Sequence, residues 1–163
     1  MEKSTFSTKA KKKLRNKKFL KKELAKGKSP KEVMEISDDL MTNLYNAAFR
    51  LYESHEYTDA ANAFIFLISL DAHKYYYWLG LGMATQMSGN FEAAIDSYEM
   101  AAIYEVESPT PYFYLAKCLF AMHERQSAMQ ALEIALLYAG DIPEFHQLKA
   151  QTLEAMELLK HTK

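Results

Sequence analysis

Apolar positions along this chain are spaced as on α-helices, and the same positions recur every 34 residues over its central part. The recurring sets are Leu44, Trp78 and Tyr112; Ala48, Gly82 and Ala116; Ala60, Ala94 and Ala128; Phe64, Tyr98 and Leu132; and Leu67, Ala101 and Ala135. Because small side chains let two helix axes approach closely, the pattern predicts three helix pairs, each a helix A followed by a helix B. One pair cannot bury its apolar face alone, so we expect the pairs to stack on one another.

The central copy identifies the type of repeat. It reads Trp78-x2-Leu81-Gly82, followed by Ala94 and by Tyr98 four residues later, which matches the tetratricopeptide repeat (TPR) signature. We therefore predict an all-α fold of three tandem TPR helix hairpins in a right-handed superhelix, with a C-terminal capping helix. The predicted TPR domain covers residues 30–162, with repeats at 41–74, 75–108 and 109–142 and the capping helix at 143–160. Asp141 is predicted to cap that last helix. Its packed side is predicted to carry Phe145, Leu148, Leu153, Met156 and Leu159.

Charge divides the chain into two parts. Residues 1–30 carry twelve Lys or Arg against two Glu, a net charge of +10. Residues 31–163 carry eight basic against nineteen acidic residues, a net charge of −11. We interpret residues 1–29 as a basic arm that is disordered or partly helical. Contact of the arm with the acidic body, nucleic acid or anionic lipid is left open. Nucleic acid is disfavoured because only Phe6 and Phe19 could stack on bases.

No cluster of residues indicates catalysis, a metal site or a cofactor. His55 and His123 lie two repeat periods apart, at the turn where the central repeat has Gly89, and no His-Glu-x-x-His spacing occurs. We interpret them as turn residues. Cys118 is the single cysteine, which fits a reducing compartment, and no apolar run reaches the length of about 18 residues of a membrane span. We expect a cytoplasmic, non-enzymatic protein without cofactors or small-molecule substrates.

A second apolar face runs along the A helices, distinct from the face that carries the small residues of the hairpins. In a TPR stack the A helices line the concave surface, so this face predicts a groove for a protein segment. The alternative is that these residues are core, covered by the last helix or by the arm. The predicted groove residues on this face are Tyr45, Phe49, Tyr52, Tyr76, Leu79, Met83, Phe113, Lys117 and Phe120.

The groove residues exclude one known mode of TPR binding. TPR proteins that grip acidic C-terminal tails do so with Lys and Asn at inward positions, whereas here only Asn46 and Lys117 have that character. An acidic peptide would also meet a body of net charge −11. We expect an apolar or basic partner.

Local sequence adds a more specific resemblance. Leu44-Tyr45-x3-Phe49-x2-Tyr52-x4-Tyr57-x-Asp59-Ala60 and Leu79-Gly80-Leu81-Gly82-x4-Met87-x-Gly89 resemble the first two repeats of the class II chaperones of bacterial type III secretion. The similarity covers about residues 36–158. It implies that Tyr57 belongs to the groove together with Tyr45, Phe49, Tyr52, Tyr76, Leu79, Met83 and Phe113. The Lys-rich arm departs from that family, whose N-termini are usually short and not basic.

The resemblance implies a function. Such chaperones act in the bacterial cytoplasm, often dimerise through N-terminal helices, and hold an extended segment of a hydrophobic translocator in the groove until export. We therefore expect a secretion chaperone that binds a translocator or effector client and prevents its aggregation and premature association. A homodimer is left open, and the arm puts the family's mode of dimerisation in question. The alternative is a TPR adaptor that joins protein partners, with the basic arm as a membrane or nucleic-acid tether.

Overall fold

The computed structural model describes residues 8–162, apart from the side chain of Ala10. The first seven residues of the predicted arm, including Phe6, lie outside that range. The described residues form helices without strands. The helices are α1 (Thr8–Arg15), α2 (Lys17–Ala25), α3 (Pro30–Val33), α4 (Asp38–Glu53), α5 (Tyr57–Leu70), α6 (Tyr75–Met87), α7 (Phe91–Tyr104), α8 (Thr110–Ala121), α9 (Arg125–Ala139) and α10 (His146–His161).

Helices α4 to α9 form the three predicted A–B hairpins, and the predicted TPR fold is confirmed. The small positions of the repeats are buried as the pattern requires. Ala48, Ala60, Ala94 and Ala128 are all 0% exposed, and large B-helix residues such as Phe64 and Tyr98 are almost fully buried beside them. Each B helix also packs on the A helix of the next repeat, which joins the hairpins into one stack.

Side-chain caps fix where several helices begin. Ser29 and Glu32 form a reciprocal capping box at the start of α3, and the Ser37 hydroxyl accepts a hydrogen bond from the Leu40 N–H at the start of α4. Asn90 caps α7 in the same way through the Ala93 N–H. Such caps satisfy N–H groups that have no partner inside the helix.

Most of the described part of the predicted arm is helical. Helices α1 and α2 contact each other, and α2 contacts α3, so the described part of the arm forms a helical hairpin attached to the body through α3. Lys13 Nζ donates a hydrogen bond of 3.0 Å to the carbonyl of Val33, and Lys9 Nζ lies 2.6 Å from the Glu35 carboxylate.

The last helix differs from the prediction at its start and on its packed side. A 3-10 turn at Pro143–Phe145 precedes α10, and no side chain caps it. Asp141 pairs instead with Lys149, 3.1 Å from its Nζ, so the predicted Asp141 cap is wrong. Leu153 is 45% exposed. Thr152 and Leu159 are buried and lie on nearly the same side of α10. Leu153 points about 100° away from Thr152, because successive residues of a helix are turned by about that angle, and it therefore lies off the packed stripe.

His55 and His123 lie at the turns between helix A and helix B of their repeats. His55, Gly89 and His123 occupy the same position of successive repeats and have φ angles of 63°, 82° and 65°. At each turn the N–H of the following residue donates a 2.9 Å hydrogen bond back into helix A, for example from Glu124 to the Leu119 carbonyl. This left-handed helix end favours glycine, and a histidine there is strained.

We expect His123→Gly to raise the free energy of unfolding by about 0.5 kcal/mol. The gain is the relief of about 1–2 kcal/mol of left-handed strain, reduced by the greater freedom of glycine in the unfolded chain. Gly89→Ala should lower the free energy of unfolding by about 1 kcal/mol, because a Cβ there meets no atom within 4 Å and only the backbone resists it. Urea denaturation followed by circular dichroism measures both. Loss of stability in His123→Gly would contradict the assignment of strain to this turn.

Candidate functional site

A continuous run of aromatic rings lies on the first hairpin. Successive ring centroids from Tyr45 to Phe49, from Phe49 to Tyr52 and from Tyr52 to Tyr57 are 6.2, 5.9 and 5.5 Å apart. All four side chains are half-buried, so each ring keeps one part in contact with the core and another open to solvent. Aromatic pairs at these distances stabilise each other beyond the area they bury.

Tyr45 is the first ring of the run and connects it to the core. Its centroid lies 6.0 Å from those of Phe64 and Tyr77, both of which are buried in the core. Surface pockets open on both of its sides. One, of about 340 Å³, is lined by Tyr45, Asn46, Phe49, Arg50 and Glu53. The other, of about 360 Å³, is lined by Thr42, Tyr45, Lys74, Tyr76 and Tyr77. Tyr76 is 62% exposed and forms an open wall of the second pocket.

The phenols of Tyr45 and Tyr52 are neutral over the physiological range. Desolvation by burial raises the pKa of Tyr45 and of Tyr52 above the ordinary tyrosine value. Since the rings carry no charge, they present apolar surface with hydroxyl groups for hydrogen bonding. One such bond is already made, with 2.7 Å between the Tyr57 hydroxyl and His55 Nδ1.

Leu79 and Met83 lie further along, on α6, and are half-buried. They pack on a small core cluster that contains Ala94, Tyr98 and Cys118. The structure therefore places them partly beneath the surface, between the aromatic run of repeat one and the third repeat.

The third repeat departs from the sequence expectation at Phe113. That ring is 4% exposed, because α10 lies against α8 and brings Leu159 into the same core cluster. The prediction assumed that inward positions of helix A stay open, and the last helix covers this one. Lys117 remains exposed, with its Nζ 4.6 Å from the Phe113 ring centroid, and Phe120 is 46% exposed.

A third pocket opens between α8 and α10. Its volume is about 280 Å³, and almost all of its walls are apolar. The lining residues are Phe113, Ala116, Lys117, Phe120, Leu132, Ala155, Leu158, Leu159 and Thr162. Three predicted site residues thus meet in one pocket. The sequence argument missed the α10 residues because it treated that helix only as a cover.

The described residues contain no arrangement suited to the binding of a metal ion. No group of three or more His, Cys, Asp or Glu comes together between residues 8 and 162. Cys118 is 0% exposed, and burial raises the pKa of its thiol to about 11, so it stays protonated. No helix within the same residues is both long and apolar enough to span a bilayer.

Fold and surface together define a TPR protein whose A helices present an aromatic surface flanked by pockets, of which the one between α8 and α10 is almost wholly apolar. A family model described as Tetratricopeptide repeat matches residues 85–152. "Low calcium response locus protein H" of Yersinia pseudotuberculosis is 36% identical over 126 residues, which is 77% of this chain and 75% of that protein.

Two solved structures show the same relationship. The type III secretion translocator chaperone SycD of Yersinia enterocolitica superposes with a TM-score of 0.77 and 32% identity, covering 80% of this chain and 98% of SycD. SycD in complex with a peptide of the translocator YopD gives a TM-score of 0.74 and 34% identity, covering 77% of this chain and 96% of that one. This chain belongs to the family of type III secretion translocator chaperones.

Proposed function

We propose that this chain is a non-catalytic chaperone of the bacterial cytoplasm. It binds an extended segment of a hydrophobic translocator along its A helices and shields that segment from aggregation and premature association before type III export. The observation that best supports this proposal is the run of half-buried aromatic rings from Tyr45 to Tyr57, with two pockets beside Tyr45. A surface of this kind suits a partner that inserts apolar side chains on either side of a central ring.

The relatives support the same class of partner. SycD has been seen in complex with a peptide of the translocator YopD, and that structure covers 77% of this chain. The groove residues of this chain stay a prediction, supported by the exposed rings and by the pockets beside them.

Binding of a disordered segment has an energetic consequence that suits a chaperone. Ordering the client costs about 2–5 kcal/mol of the gross interaction. The affinity is therefore moderate for the area that is buried, and release at the secretion apparatus needs no chemical step.

Co-expression with the hydrophobic proteins encoded beside this chain, followed by co-purification, tests the proposal. We expect one of them to co-purify and to stay bound at high salt, because apolar contacts on neutral rings are not screened. A fragment of that client, synthesised as an unfolded peptide, should compete with the whole protein. If only folded partners bind, and the peptide does not compete, the chain is an adaptor and the proposal fails.

The pocket between α8 and α10 provides a second anchoring point for the same client. We expect Phe120→Ala to weaken client binding by about tenfold, because truncation of an interface aromatic typically costs 1–2 kcal/mol or more. The change should have little effect on stability, since Phe120 is 46% exposed. Titration calorimetry with the purified client measures the affinity.

A matched control is available on the neighbouring helix. Leu137 of α9 is 74% exposed and does not line the pocket, so Leu137→Ala should leave the affinity unchanged. Equal affinities for wild type and Phe120→Ala would show that the client ends before the third repeat.

A further inference from the structure

The helical hairpin of α1 and α2 has one side that is fixed to the body. On α1, Lys9 and Lys13 lie one turn apart and both approach the Glu35 carboxylate, at 2.6 and 3.4 Å. On the segment after α2, Lys26 and Lys28 pair with Glu23 at 2.8 and 2.6 Å. These pairs hold the pKa of Glu23 down at about 2, so the carboxylate stays ionised. Two cations are thus matched by a carboxylate of the body, Glu35, and two by a carboxylate of α2 itself, Glu23.

The other side of the hairpin carries cations without such partners. Seven exposed basic residues make no ion pair with any described residue: Lys11, Lys12, Arg15, Lys17, Lys18, Lys21 and Lys22. On α2 the lysines fall at i and i+4, as Lys17 with Lys21 and Lys18 with Lys22, so like charges are neighbours on one helix face. Such pairs disfavour the isolated helix. A polyanionic surface laid against this face would remove the repulsion.

One exposed leucine accompanies these lysines. Leu14 is 42% exposed and lies one turn from Lys11. Leu24 is also 43% exposed, but it lines a pocket with Ile68, Asp71 and His73 of the body. Aliphatic side chains among lysines suit the interface of an anionic bilayer, where cations meet headgroups and leucines enter the acyl boundary. Single-stranded nucleic acid would instead require exposed aromatic rings. Phe19 is the aromatic residue of the described hairpin, and it is half-buried, 5.9 Å from Lys13 Nζ.

We propose that the α1–α2 hairpin docks this protein on an anionic phospholipid surface. The lysines of α2 and the basic residues of α1 contact the phosphate groups, and Leu14 enters the interface. The rest of the chain, with a net charge of −11 over residues 31–163, is repelled by the same surface. This docking is independent of client binding.

Sedimentation of the full chain with phosphatidylcholine vesicles, with and without phosphatidylglycerol, tests the proposal. We expect binding only to vesicles that contain the anionic lipid, and a loss of binding as salt rises. Lys18→Gln with Lys22→Gln should weaken it by about 25-fold, on the basis of about fivefold for each lysine at the surface. Lys149→Gln with Lys160→Gln, the same charge change on α10, should have little effect.

Further variants separate a bilayer from other polyanions. Leu14→Ser should weaken vesicle binding, because the leucine enters the acyl boundary that other polyanions lack. Leu24→Ser, at a residue that lines a pocket against the body, is the matched control and should bind vesicles as wild type does. Tyr45→Ala with Phe49→Ala should bind vesicles as wild type does, so failure of the client proposal would not affect this result. Circular dichroism checks that each variant keeps its helices. Equal binding to neutral vesicles, undiminished binding after the Lys18 and Lys22 changes, or binding to DNA without vesicles would each overturn the proposal.

Discussion

Replacing Tyr45 and Phe49 together by alanine is expected to abolish measurable client binding. Tyr45 is the ring shared by the two pockets of the first hairpin, and Phe49 continues the aromatic run away from it. Truncation of a central interface aromatic costs roughly 2 kcal/mol or more, which is about 30-fold in affinity. If the two losses add, the affinity falls about a thousandfold. Fluorescence anisotropy of a labelled client peptide measures it.

The stability of that double variant has to be measured separately, because both rings also pack on the core cluster of the first hairpin. Circular dichroism and a thermal melt show whether the helices persist. Tyr76→Ala offers a cleaner single change, since Tyr76 is 62% exposed and lines the second pocket. Ile65→Ala with Ile103→Ala removes comparable apolar surface from two B helices, at residues 52% and 63% exposed, and should leave binding intact. Wild-type affinity in a folded double variant would remove the aromatic run from the mechanism.

Phe64→Ala is expected to lower the free energy of unfolding by about 3–5 kcal/mol. Phe64 is 1% exposed and belongs to the core of the first hairpin, so truncation removes buried apolar area and leaves a cavity. The ring also explains one glycine of Leu79-Gly80-Leu81-Gly82. A Cβ built on Gly80 would collide with the Phe64 ring, so that position of α6 admits only glycine while the ring is present.

The contact between Gly80 and Phe64 predicts that the effect of Gly80→Ala on stability changes sign once the Phe64 ring is removed. Gly80→Ala alone should destabilise the protein by about 1–3 kcal/mol through overpacking, reduced by the better helix propensity of alanine. In the Phe64→Ala background the added methyl group enters the cavity, so Gly80→Ala should become neutral or stabilising. Gly82→Ala is the matched control. Its Cβ would lie 2.6 Å from Cε1 of Tyr98, and it should destabilise in both backgrounds. Urea denaturation gives all the free energies, with Phe64→Leu replacing Phe64→Ala if the latter does not fold. Additive effects of Gly80→Ala and Phe64→Ala would contradict the contact.

The candidate site was predictable in its first repeat and less so in its third. Tyr45, Phe49 and Tyr52 lie on one helix at spacings of three and four, so sequence alone places them on one face, and Tyr57 joins them across a short turn. Phe113 occupies the same position in the third repeat as Tyr45 does in the first. Its burial depends on α10, and no spacing within a repeat reports how a helix some 40 residues later will lie.

The sequence by itself determined the helix pairs, their period and the positions of close approach. These follow from local geometry, because a helix places residues three and four apart on one face and only small side chains permit close packing of the axes. It also determined the turns at His55, Gly89 and His123 as equivalent positions, although not their left-handed conformation.

Only the tertiary structure decided which surfaces stay open. Helix α10 covers Phe113, lines a pocket through Leu158 and Leu159, and leaves Leu153 exposed. The tertiary structure also showed that the two glycines face different rings. Gly80 faces Phe64 of the preceding repeat, and Gly82 faces Tyr98 of its own repeat. The physical reason is that exposure and steric fit depend on contacts between elements distant in sequence, whereas periodicity records only how each helix is divided into faces.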